Sequence, residues 1–110
     1  MTNQEVASMV GEIGLPFAYY EFPDGTQQAP PFVCFFFSGN EDLAADDSNY
    51  QRMERLVIEL YTDNKDFDLE SRVEAVLNEH GLVFSREEEW IESERMLEVV
   101  YETTVCITEE

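Results

Sequence analysis

The stretch from Arg55 to Tyr61 alternates between two faces. Leu56, Ile58 and Leu60 project to one side and Arg55, Glu59 and Tyr61 to the other, the two-residue period of a strand with one buried face. The period then changes. Leu69, Val73, Val76 and Leu77 fall on one stripe of a helix that His80-Gly81 ends with a cation-capable side chain and a left-handed cap. This unit, Tyr50 to Gly81, is the part the rest of the chain fits around. A first helix is predicted upstream, where Thr2 and Glu5 form a capping-box pattern and Val6, Met9, Val10 and Ile13 recur at helical spacing until Gly14 and Pro16 stop it.

Between the two helices, the aromatic run FAYYEF at 17–22 is strand-prone, and Pro23-Asp24-Gly25 predicts a turn. A second strand, Phe32 to Phe37, opens after Pro30-Pro31, where a proline owes no ladder hydrogen bond. Together these predict a hairpin with a long connection. The second strand is apolar on both faces, Val33, Phe35 and Phe37 on one and Phe32, Cys34 and Phe36 on the other, as in a central strand or one whose outer face meets a partner. Residues 38–49 read as an acidic loop without periodicity. The thirteen residues from Tyr50 to Thr62 would extend about 40 Å, longer than a small sheet can pair, so part of them is expected to project beyond the core. That polar early half carries Arg52 and Arg55.

After the second helix the reading gives a strand from Leu82, an acidic connection through Glu87, Glu88 and Glu89, and a last long strand. In that last strand Leu97, Val99, Tyr101, Val105 and Ile107 line one face and Glu98, Glu102 and Thr104 the other. The order is helix, three strands, helix, two strands. It predicts one α+β domain over residues 1–110, with a single mixed, mostly antiparallel sheet of about five strands and both helices on one face.

Two helices, each about 10 Å wide, cover one side of such a sheet and leave the other bare. Phe32, Phe36, Met53, Val57, Tyr61 and Val100 fall on or near that bare face, interrupted by Glu59, Glu98 and Glu102. An apolar patch with a charged rim reads as a subunit interface before assembly. The alternative is that helix ends and loops fold over it.

Composition narrows the partners. Six Lys and Arg against 25 Asp and Glu give a formal net charge of −19, which argues against binding nucleic acid or an anionic membrane directly. Disorder is excluded by the 44% hydrophobic and 13% aromatic content. With no basic leader and no apolar run near the ~20 residues that span a bilayer, the chain is expected to be soluble and unexported. Cys34 and Cys106 sit in apolar strand-like runs and read as reduced core residues.

Candidate chemistry changes little. His80 is the only histidine and sits at a helix end, and neither CxxC nor HExxH occurs. Asn64, Asp66 and Asp68 alternate like the start of a calcium loop, but Leu69 and Ala75 stand where glycine and glutamate are needed, so this is a helix cap. The acids at 87–89 alternate between faces and read as a solvated edge; Trp90 reads as a sheet anchor whose indole N–H seeks a carboxylate. No reaction, cofactor or metal follows from the residues.

With these elements placed, the chain resembles the small tail-completion, or tail-terminator, proteins of long-tailed phages and of prophages in Gram-positive bacteria. The residues that carry the resemblance are Gly14-Leu15-Pro16-Phe17-Ala18-Tyr19, Pro30-Pro31-Phe32, Ala45-Asp46-Asp47, Ile58-Glu59-Leu60-Tyr61-Thr62 and Trp90-Ile91-Glu92-Ser93-Glu94, spread over nearly the whole chain. The resemblance implies a non-enzymatic homo-oligomer, commonly a hexameric ring, that caps the tail tube at its head-proximal end and meets the head connector. Such a protein is assembled in the host cytoplasm and ends in the virion. On that reading Phe36, Met53, Val57 and Tyr61 belong to the subunit interface, and Arg52 and Arg55 pair with Asp46 and Asp47 of a neighbour. The competing reading is an acidic inhibitor that imitates DNA to occupy a nucleic-acid-binding protein.

Overall fold

A computed structural model describes residues 1–22, 28–40, 43–45 and 49–108. The described residues form helix α1 (Asn3–Gly11), strands β1 (Phe17–Tyr19), β2 (Phe32–Asn40), β3 (Leu43–Ala45), β4 (Asn49–Gln51) and β5 (Met53–Thr62), helix α2 (Phe67–Glu79), and strands β6 (Phe84–Ile91) and β7 (Met96–Cys106). Five strands make one mixed sheet in the order β1-β2-β5-β7-β6, and β3 and β4 pair separately. The predicted α+β arrangement is the one observed.

Local chemistry sets the helix ends. Thr2 and Glu5 make both hydrogen bonds of the capping box, and the Asp66 carboxylate accepts from the Leu69 N–H to start α2. Gly81, at φ +72°, ends α2 by turning the chain so that the Leu82 N–H reaches the Leu77 carbonyl. Both helices pack on one face of the sheet. Val6, Met9 and Val10 of α1 and Val73 and Leu77 of α2 are buried against Val33, Leu56, Ile58, Leu60, Val99 and Tyr101. Arg72 fastens the helices together by donating to the Ile13 carbonyl just past α1.

On the helical side, α2 is also tied to the far edge of the sheet by charge. The buried Glu70 carboxylate receives Lys65 at 2.9 Å and Arg86 at 3.5 Å, and Arg86 reaches Glu74 at 2.9 Å. The buried Tyr101 hydroxyl donates to the Glu74 carboxylate at 2.9 Å. Such a shared network positions α2 over β6 and β7.

Four expectations are corrected. β1 and β2 pair in parallel, Phe17 beside Val33 and Tyr19 beside Phe35, and do not form a hairpin. Twelve residues separate these strands, enough for the chain to cross back to the same end of the sheet. The stretch 38–49 is not a plain loop, because β2 continues to Asn40 and Leu43–Ala45 pairs antiparallel with Asn49–Gln51. The long strand from Tyr50 is broken at Arg52: β5 pairs with β7 along its whole length, and residues 49–51 belong to the separate β3–β4 ribbon. Glu87, Glu88 and Glu89 lie inside β6, not in a connection, and the reversal falls at residues 92–95. The predicted turn at Pro23-Asp24-Gly25 lies outside the described residues.

Candidate interaction surface on the open side of the sheet

Register places every residue of the second face. Phe32 lies beside Tyr61, Cys34 beside Glu59 and Phe36 beside Val57 across β2 and β5; Tyr61 lies beside Glu98, Glu59 beside Val100 and Val57 beside Glu102 across β5 and β7. Glu87 and Glu89 of β6 continue the face opposite Val100 and Glu98. It is therefore aromatic toward β1 and β2 and acidic toward β6. Adjacent β6 carboxylates do alternate as expected: Glu88 turns to the helical side and meets Lys65 at 2.6 Å.

Part of this face is roofed by the chain's own residues. After β1 the backbone turns at Tyr20, φ +69°, a conformation costly for an aromatic residue and held here by a hydrogen bond from its N–H to the Phe35 carbonyl. The turn lays the Tyr20 ring flat on Phe36, centroids 5.0 Å apart, and brings Phe22 edge-on to Phe32 at 5.4 Å. Phe32 in turn stacks on Tyr61 at 4.9 Å. Cys34 and Val57 beneath are buried, each 4% exposed. The roof is narrow, and Tyr20 itself is 59% exposed.

Where the aromatic and acidic halves meet, Tyr61, Glu59 and Glu98 come together. The Tyr61 hydroxyl lies 2.8 Å from Glu98 Oε2 and 3.2 Å from Glu59 Oε1. Burial first, then the hydrogen bond and negative charge of Glu98, push the Glu59 carboxyl up to about 7, against a smaller opposing effect of the Tyr61 hydroxyl. Burial and the same two carboxylates push the Tyr61 phenol far up as well. Burial and then the charges of Glu59, Glu21 and Glu98 push the Cys34 thiol up to about 11, so it stays a protonated, unreactive thiol.

No protein-family profile matches this sequence, and no curated protein matches it. Among solved structures, a chain from the virion of a native gene transfer agent particle shares the fold. It is 18% identical, with a TM-score of 0.53, over 91% of this chain and 85% of that one.

Only some of the residues predicted to form an interface lie on this face. Phe36, Val57 and Tyr61 lie on it in adjacent register positions, and Met53 pairs with Cys106 at the far end of β5. Arg52 reaches Glu54 of its own chain at 3.5 Å. The Arg55 guanidinium lies over Gly39, where a β-carbon would come within 2.6 Å of Nη2. Asp46 and Asp47 lie outside the described residues. Sequence reading did not join Glu59 to Glu98, nor see that Tyr20 and Phe22 would fold over their neighbours. Elsewhere, His80 meets the Glu12 carboxylate at 3.2 Å, Trp90 donates to Glu92 at 2.6 Å, and both cysteines are free. Among the described residues no group of three or more His, Cys, Asp or Glu is placed to hold a metal ion, and no helix is long and apolar enough to cross a membrane.

The carboxyl pair makes stability depend on pH. Glu59 titrates near 7 when folded, against 4.5 for the unperturbed group, so between those values the folded state holds the extra proton. Its contribution is fully present below about pH 4.5 and is lost as the pH rises through 7. Glu59→Gln removes the titration. After a discount for the half-exposed position, the variant is expected to be more stable than the parent by about 1 kcal/mol at pH 8 and no more stable at pH 4.5. Urea unfolding at the two pH values measures this.

Proposed function

We propose that this chain is a non-enzymatic structural protein of a phage particle. In finer terms it is a tail-completion or terminator subunit that forms a ring at the head-proximal end of the tail tube and joins it to the head connector. The observation that carries the reading is a sheet face that the described residues cover only in part, set on a fold that a virion chain shares. A face with buried Val57 and Cys34, aromatic Phe36 and Tyr61, and an acidic margin has the composition of a contact patch with a polar rim.

Copies joined head to tail close into a ring when the rotation between them closes. Six copies carry −114 formal charges, six times the −19 of one chain. Acids facing the channel repel DNA passing through it and prevent it from sticking. The arginines at the start of β5 then serve as intersubunit contacts, Arg52 and Arg55 against the acids of a neighbour, Asp46 and Asp47 among them.

Light scattering and electron microscopy of the purified protein, with and without tail tubes, test this. The expected result is a closed ring or a cap on tube ends. Arg55→Glu is expected to shift the ring toward monomer on a sizing column while the far-UV circular dichroism stays unchanged. Assembly that survives the reversal removes Arg55 from the interface.

One observation favours a second reading. Glu87, Glu89, Glu98 and Glu102 share one face, with Glu87 and Glu89 roughly 6.6 Å apart along β6 and Glu98 and Glu102 roughly 13 Å apart along β7, a row of carboxylates that could imitate a phosphate backbone. That reading predicts a monomer or dimer that binds a basic DNA-binding protein with steep salt dependence, and no cap on tail tubes.

A further inference from the structure

Among the described residues, the second face holds an unfilled cleft. Its volume is about 470 Å³, with Phe32, Cys34 and Tyr61 at its floor. Phe22 walls one side and Met96 and Ile91, from the two strands of the β6–β7 hairpin, wall the other. The cleft is mixed in character, with Tyr20, Gln28 and two carboxylates beside its apolar side chains. Glu21 and Glu94 line it, and Glu59 and Glu98 contact the Tyr61 hydroxyl at its floor.

We infer that this cleft docks a segment of another protein in which arginine or lysine alternates with large apolar residues. The apolar side chains enter the slot over Phe32 and Tyr61, and a cationic side chain lies against Glu59 and Glu98.

Charge decides the occupant. A second copy would bring −19 with it, and much of its small basic complement is spent internally. Lys65 is held by Glu70 and Glu88, Arg86 by Glu74, and Arg72 by the Ile13 carbonyl. Nucleic acid and anionic lipid are repelled by the same excess of acids. A basic, partly apolar protein segment satisfies both halves of the surface, since the cation neutralises a carboxyl pair that the chain leaves facing itself. The titratable groups that interact with Glu59 are Cys34 from β2, Tyr61 from β5 and Glu98 from β7, and Arg55 lies four residues away on the same face of β5. The three groups that interact with Glu59 are acidic or neutral, so none of them competes with the incoming cation. Docking does not depend on a ring; it takes Tyr61 from the contact patch of the ring reading and leaves Phe36 to neighbouring copies.

The test is calorimetric titration of the full chain at 150 mM salt with the synthetic peptide acetyl-Leu-Arg-Phe-Arg-Leu-amide. Two control peptides replace its arginines by glutamate or its apolar residues by glycine. The first peptide is expected to bind at least tenfold more tightly than either control, and more tightly at pH 8 than at pH 6, because a cation favours the ionised form of Glu59. E59Q/E98Q is expected to weaken binding at least tenfold. D68N/E79Q, which removes two charges from exposed positions of α2, is expected to change it less than threefold. Equal losses in the two variants would mean diffuse attraction to an acidic surface, and equal binding of the glycine peptide would mean that the slot is not used; either overturns the proposal. So does the absence of binding by the parent chain. Light scattering on the same samples reports the ring separately. If E59Q/E98Q dissolves an oligomer and the peptide does not bind, the cleft belongs to a second copy and this inference fails while the ring stands.

Discussion

Leu60→Ala is expected to lower the stability of the fold by about 3 kcal/mol and its Tm by roughly 15 °C. Leu60 is fully buried in β5, the middle strand of the sheet, with the fully buried Val33 beside it on β2 and Val99 beside it on β7. Neither β-branched neighbour can swing into the space left behind, and both helices close the site from above, so most of the cavity persists. The whole domain is worth only about 5–15 kcal/mol, which makes this a large fraction. Urea unfolding should show a lower midpoint with an unchanged slope, since the same surface is exposed on unfolding. Ile58→Val, one turn of the pleat away on the same face, removes a single methylene and should cost only about 1 kcal/mol. A loss at Leu60 no larger than that at Ile58 would show that the strand is not sandwiched as described.

Gly14→Ala is expected to cost about 2 kcal/mol, from two sources that can be separated. Gly14 sits at φ +85°, and an added β-carbon would lie 2.7 Å from Arg72 Nη2. Backbone strain accounts for about 1 kcal/mol. The remainder comes from pushing the guanidinium off the Ile13 carbonyl, the hydrogen bond that links α2 to the end of α1. In an Arg72→Ala background the same substitution should cost only the strain. Gly81→Ala supplies an independent reference: φ there is +72°, with open space around the β-carbon position, so about 1 kcal/mol is expected. Chemical denaturation of the four proteins of the Gly14/Arg72 cycle, together with the Gly81 variant, checks all three figures.

Both effects belong to the helical side, and that side was the legible one. Its residues carry their own signal, because burial on one face of a strand or helix forces a period of 2 or 3.6 on the apolar positions. Leu56, Ile58, Leu60, Val99, Tyr101, Val73 and Leu77 all lie where that period puts them. The caps at Thr2, Asp66 and Gly81 are equally local, each settled by one side chain and the few residues after it.

The strands that were misread lack such a period. β6 is an edge strand, six of whose eight residues are exposed, and its acids keep that edge from pairing with another chain. A strand is legible from Leu82, but no apolar alternation carries it on through Glu87, Glu88 and Glu89. β1 was recognised as a strand but not as a parallel one, since direction depends on how the residues after it travel.

The open face divides in the same way. Which residues lie on it follows from alternation in β2, β5 and β7, so Phe32, Phe36, Val57, Tyr61, Glu59 and Glu98 could be assigned to it from the sequence. Their contacts could not. Glu59 and Glu98 stand 39 positions apart in the chain and meet only because β5 and β7 pair in one particular register. The partial roof of Tyr20 and Phe22, and the cleft it leaves, exist because a single residue adopts a left-handed turn beyond a three-residue strand. The sequence by itself thus determined the elements, their buried faces and the acidity of the surface, all of which are properties of near neighbours and totals. Only the tertiary structure decided which carboxylates meet at the Tyr61 hydroxyl, how the described residues roof the second face and where they leave a cleft, because these depend on strand order and register between residues far apart in the chain.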